Sequence, residues 1–124
     1  MLLNIYDRFR LLSEKQPEKE GFAKIRDKAE DDLAYVLSGR TDILDKEIAC
    51  VYYRDLAERY PEVDRHANNL RIVRAQIALK LYRDAEAGDR AAAQKAYALY
   101  TELEKDYPDR DYAKNAVYVK NHFM

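Results

Sequence analysis

Two histidines, one cysteine and several adjacent acids are the residues of this chain best suited to chemistry. Their spacing argues against it. His66 and His122 stand 56 residues apart, and neither falls in the His-x3-His or Glu-x2-His pattern that places two metal ligands on one helical face. His66 lies near the apolar face at the start of a helix and reads as a packed, hydrogen-bonded side chain. Asp31 and Asp32 could in principle share acid and base roles, but neighbours on a helix project about 100° apart, so a solvated face is the better reading. Cys50, between Ala49 and Val51, reads as a small buried hydrophobe rather than a nucleophile. There is no glycine-rich phosphate loop. No catalytic residue, metal ligand or cofactor is expected, and the chain does not read as an enzyme.

The sharper signals concern recognition. Arg74 projects about 40° around its helix from Leu70, inside an apolar sector, and Arg71 lies beside Ala75 and Tyr82. An arginine so placed must find a carboxylate or reach out of the interface, because an unpaired buried charge is costly. Glu47, Asp55 or Glu102 on a neighbouring helix could supply it. Alternatively Asn68, Arg71 and Arg74 could grip a partner's acidic group through the bidentate geometry of the guanidinium. Near the end of the chain, Tyr112, Tyr118 and Phe123 could stand as aromatic anchors for a partner or a second copy, or form part of a frayed tail. Ala113, Ala116 and Val117 would then pack inward.

Composition narrows the classes further. Hydrophobic residues make up 48% and charged residues 36% of 124 residues, a globular balance that suits one domain. Lys and Arg number 22 against 23 for Asp and Glu, a near-balance that supplies no strongly basic surface, so nucleic acid is not the expected partner. The longest apolar run, "IACVYY" at 48–53, cannot span a membrane. "MLLNIYDRFRLL" lacks the apolar core of a signal peptide and a cysteine for a lipid. The chain as written is therefore expected in the cytoplasm, with a periplasmic site as the alternative for a trimmed chain.

Three glycines and three prolines favour long helices, and no stretch alternates with period two long enough for a strand. Six helices are predicted, giving an all-α fold. The first covers 2–13 with Leu2, Tyr6, Phe9 and Leu12 on one face. Pro17 suits the first turn of the second, which carries Phe22, Ile25, Ala29, Leu33 and Val36 and stops at a left-handed Gly39. Thr41 or Asp42 caps the third, with an apolar stripe of Leu44, Ile48, Val51, Tyr52 and Leu56. The fourth, 65–87, has two apolar stripes and reads as central: Leu70, Val73, Ile77 and Leu81 on one side, Ile72, Ala75, Leu79 and Tyr82 on the other. Gly88 and Asp89 punctuate before the fifth, 90–107, and Asp109 or Asp111 opens the sixth.

"YYRDLAERYP" at 52–61 and "LYTELEKDYP" at 99–108 repeat one pattern. With Ala49 and Ala96 added, both copies read Ala-x3-Tyr-x2-Leu-x3-Tyr-Pro. The alanine permits close helix approach, the tyrosine fills the space beyond, and the proline ends the helix. Residues 65–73 loosely match 111–119. This pattern resembles the tetratricopeptide-repeat family, and most of all the repeats of bacterial envelope adaptors of the outer-membrane assembly lipoprotein and Tol-Pal accessory types. The resemblance covers 43–124 and is poor over 1–42. The period of 47 exceeds the family's usual 34, Leu56 and Leu103 stand where it keeps alanine, and its first-helix tryptophan, glycine and tyrosine are not recognisable. It implies a solenoid of about two and a half helical hairpins and a non-enzymatic adaptor that binds a protein or peptide through a groove or its apolar ends. An unrelated bundle with a duplicated hairpin is the alternative architecture. A homo-oligomer pairing through terminal helices is the alternative function.

Overall fold

The computed structural model describes residues 2–124. Among them the regular elements are all helical: α1 (Leu2–Lys15), α2 (Glu20–Ser38), α3 (Ile43–Arg59), α4 (Asp64–Glu86), α5 (Arg90–Asp106) and α6 (Tyr112–Phe123). The breaks fall where proline, glycine and aspartate punctuate the sequence. Asp42 caps α3 by accepting from the Leu44 N–H at 2.7 Å, and Asp89 caps α5 by accepting from the Ala92 N–H at 3.0 Å. Asp111 precedes α6 without a side-chain cap bond. Pro17 lies in the turn before α2 rather than in its first turn.

The two glycine stops differ. Gly88 has φ +106°, a conformation side chains resist, whereas Gly39 has φ −79° and is an ordinary helical residue, not the left-handed stop expected. The N–H groups of Gly39 and Arg40 already close on the Tyr35 and Leu37 carbonyls, which ends α2 without a left-handed residue. Gly39→Ala is thus expected to stabilise by about 0.4–1 kcal/mol and Gly88→Ala to destabilise by about 1–2 kcal/mol. Equal shifts of the same sign in thermal melts of the two variants would contradict this.

The chain forms two compact units, the first ending at Leu70 and the second starting at Arg71. In the first, α2 packs against both α1 and α3. Its core holds Tyr6, Ala29, Leu33, Ala34, Leu37, Ala49, Cys50, Tyr53 and Leu56. In the second, α5 packs against α6. Its core holds Val73, Ile77, Ala78, Leu81, Ala85, Ala92, Ala93, Ala96, Tyr100, Leu103, Tyr112, Ala116 and Val119.

Several expected stripes are shifted. Leu44 and Val51 are 62% and 51% exposed, so α3 buries its Ala49–Tyr53–Leu56 line instead. Small Ala49 admits the neighbouring helix closely, and that rotates the buried face away from Leu44. Likewise α2 turns Ile25 and Val36 outward. On α4, Val73, Ile77 and Leu81 of the first stripe are buried and Leu70 half-buried, whereas in the second Ile72 and Leu79 are exposed and Ala75 and Tyr82 only half-buried. On α6, Tyr112, Ala116 and Val119 face inward, while Ala113 and Val117 face solvent.

The duplicated pattern is repeated in physical detail. Ala49 and Ala96, Tyr53 and Tyr100, and Leu56 and Leu103 are all nearly inaccessible. The N–H groups of Tyr60 and Tyr107 donate to the Leu56 and Leu103 carbonyls at 2.9 and 2.7 Å, with φ,ψ of −129°, 65° and −134°, 67°. Buried Tyr6 precedes Tyr53 by the same 47 residues that separate Tyr53 from Tyr100.

Candidate functional site

Arg74 is already engaged. Its side chain is 12% exposed, with Nη1 2.8 Å from Asp106 and Nη2 3.6 Å from Glu102. The guanidinium also lies 6.0 Å over the Tyr107 ring. This is the interhelical salt bridge, made to Glu102 as foreseen and more closely to Asp106; the geometry leaves no open carboxylate clamp at Arg74. Arg71 is half-buried and donates to the Tyr112 hydroxyl at 3.4 Å. Asn68 is exposed on the first turns of α4.

Tyr112 is a core residue, with its ring centroid 6.4 Å from those of both Tyr100 and Tyr107. It was expected to face a partner while Ala113, Ala116 and Val117 packed inward; instead α6 turns its Tyr112, Ala116 and Val119 face inward. Burial pushes the neighbouring Tyr100 hydroxyl up to about 12. Tyr118 is partly exposed and Phe123 half-buried, and both contact Tyr82, at 5.8 and 5.6 Å between centroids. His122 stacks on Tyr118 at 3.9 Å. The two aromatics thus close a cluster within their own unit, leaving one edge of Tyr118 with Val117 and Met124 in solvent.

The strongest electrostatic cluster lies in the first unit. Glu30 is fully buried and pairs through Oε2 with Arg59, while its Oε1 has no hydrogen-bond partner among the described residues. Arg59 also reaches Asp27 at 3.1 Å, and the Tyr60 hydroxyl donates to the other Asp27 oxygen. Burial pushes the Glu30 carboxyl above its ordinary range, and Arg59 offsets only part of that. The hydrogen bond to Asp27 raises the Tyr60 hydroxyl, with burial adding to it. The cluster joins the end of α3 to α2. Its counterpart in the second unit joins Asp106 and Tyr107 at the end of α5 to Arg74 of α4, with the charges interchanged.

Beside this cluster, Asp27, Asp31, Asp32, Tyr60, Arg65 and His66 line a polar hollow of about 380 Å³. Its charges are matched internally: Arg65 holds Asp31 at 2.8 Å and Lys28 holds Asp32 at 3.2 Å. His66 is buried against Tyr60, 6.5 Å between rings, as a packed histidine should be. Its Nδ1 has no hydrogen-bond partner among the described residues.

A different surface is open. Leu33, Val36 and Leu37 of α2 form the floor of an apolar groove, with Leu3 of α1 on one wall and Ile48 and Tyr52 of α3 on the other. It encloses about 500 Å³, within the range of about 300–1,000 Å³ typical of ligand pockets. Tyr6 and Tyr52 meet edge to face at 5.3 Å and join the two walls. Arg40 also lines the groove. Exposed Leu44 extends the α3 wall one turn beyond Ile48. The signal was present in the sequence: Leu44, Ile48 and Tyr52 make a second line on α3, beside the repeat's Ala49, Tyr53 and Leu56. Reading both lines as one core face hid the groove.

No helix among the described residues is long and apolar enough to cross a membrane. No known protein family, curated protein or solved structure matches the chain.

Proposed function

We propose that this chain is a helical-repeat interaction module, similar in plan to tetratricopeptide proteins, which binds a partner protein or peptide without catalysing a reaction. The observation that carries the reading is the recurrence of one helix with one ending. α3 and α5 share the buried Ala-Tyr-Leu line, the Tyr cap and the closing hydrogen bond at a fixed interval. Repeats of this kind stack apolar faces and leave extended surfaces for partners. The near-balanced charge favours a protein partner over nucleic acid, and a cytoplasmic site belongs to the same proposal. Capture from native extract, followed by reconstitution of the complex from purified components at fixed stoichiometry, tests it. Failure to reconstitute any captured protein would remove the adaptor reading.

Association of copies is a second reading, favoured by the exposed Val117, Tyr118 and Met124 on and beyond α6. Light scattering over a dilution series separates the two. A stable dimer supports self-assembly, and a monomer supports the adaptor.

A further inference from the structure

We infer that the groove between α1 and α3 docks a short segment of a partner protein in which bulky apolar residues stand next to a carboxylate. The inference rests on the interaction role proposed above and names its site. The floor and walls supplied by Leu3, Leu33, Val36, Leu37, Ile48 and Tyr52 call for apolar side chains. Arg40 supplies the one full charge in the lining and sets the sign of the partner's polar group. Its side chain is 58% exposed, and the Asp45 carboxylate lies 3.7 Å away, a long contact between partly solvated groups. Such a pair is weakly held, so the guanidinium can turn to an incoming carboxylate at little cost and grip it with two N–H donors.

The shape argues for a peptide over an alkyl chain. Leu3 on the wall and Val36 on the floor remain 49% and 41% exposed, so the groove is open along one side and an acyl tail in it would keep that side in water. A peptide seats its side chains inward and lays its polar backbone across the opening, leaving the backbone groups hydrated. Tyr52 adds a flat apolar surface to the α3 wall, of the kind that anchors interface residues.

The test uses the full chain with labelled Leu and Ile methyl groups. The probes are N-acetyl-leucyl-phenylalanine with a free carboxylate, the same dipeptide as its amide, and decanoate. The acid is expected to shift the Leu33, Leu37 and Ile48 methyl signals saturably and to bind about tenfold tighter than the amide. Arg40→Gln should reduce the acid to the affinity of the amide while leaving the melting temperature unchanged. Asp45→Asn should strengthen acid binding severalfold by releasing Arg40. Unshifted groove methyls, equal affinities for acid and amide, or decanoate binding as tightly as the peptide would each overturn the inference. A reconstituted partner that binds Arg40→Gln as well as wild type would leave the interaction role standing and remove the groove from it.

Discussion

Replacing Arg59 with alanine is expected to cost about 2–4 kcal/mol at neutral pH, because it strands a buried carboxylate. Removing one member of a fully buried ion pair typically costs about 3–5 kcal/mol. The lower figure applies because Arg59 is one-third exposed, whereas Glu30 is fully buried. The loss should depend on pH in a definite direction. Burial raises the folded-state pKa of Glu30 above its value in the unfolded chain. This group therefore favours folding below its unfolded pKa, about 4.3, and that contribution is lost as pH rises through the raised value. Arg59 is the chief influence opposing the rise, so its removal hurts most near pH 7 and less at pH 5. In a Glu30→Gln background the same replacement should cost only about 1 kcal/mol, since no charge is left behind. Denaturant titrations of the wild type and the three variants at both pH values decide the matter. A loss that grows on acidification would show that Glu30 is not the group Arg59 serves.

Leu56→Ala and Leu103→Ala are expected to cost about 2–5 kcal/mol each. Both leucines are almost wholly inaccessible, and both sit under the Tyr cap that ends their helix. Removal of the branched side chain leaves a cavity that the close-packed alanine helices cannot collapse to fill. Against a total of about 5–15 kcal/mol for a domain of this size, either loss should lower the melting temperature clearly. Leu44→Ala is the contrast. It lies on the same helix as Leu56 but is exposed, so its effect should stay within about 0.5 kcal/mol. If Leu44→Ala proved as costly as Leu56→Ala, the assigned buried face of α3 would be wrong.

The helices were legible because their ends are written in single residues with narrow conformational roles: Asp42 and Asp89 as caps, Pro61 and Pro108 as stops. The buried face of each helix was harder to read. Leu44 and Ile48 satisfy apolar periodicity as well as Ala49 and Tyr53 do, yet only the alanine line admits a second helix closely. Periodicity counts hydrophobicity, and close packing depends on size. The surroundings of the recognition candidates were hidden for a related reason. Arg74 announced itself as an unusual charge in an apolar sector, but such a charge must be neutralised to persist, and Asp106 does this from the neighbouring helix. Tyr112 looked exposed because the inward face of α6 was read as Ala113, Ala116 and Val117, whereas the helix turns Tyr112, Ala116 and Val119 inward, with Tyr112 against Tyr100 and Tyr107. Buried Tyr6 shows the opposite case, a core position that the plain helical spacing of Tyr6, Phe9 and Leu12 marked correctly.

The interchange of charge between the two hairpin clamps bears on how the chain sorts its own helices while folding. α3 and α5 carry nearly the same message, so a collapsing chain could offer either one to α2 or to α4. Closing α5 onto α2 would set Asp106 against Asp27, and closing α3 onto α4 in the same manner would set Arg59 against Arg74. Each wrong choice brings like charges together, whereas each correct one joins opposites. The variant Arg74→Asp with Asp106→Arg keeps an ion pair in the second hairpin but gives both hairpins the same polarity. Its native stability should stay close to wild type while its refolding yield falls; an undiminished yield would show that polarity plays no part. Internal duplication ordinarily makes a sequence ambiguous to itself, and here one reversed pair of charges labels which copy of a helix belongs to which neighbour.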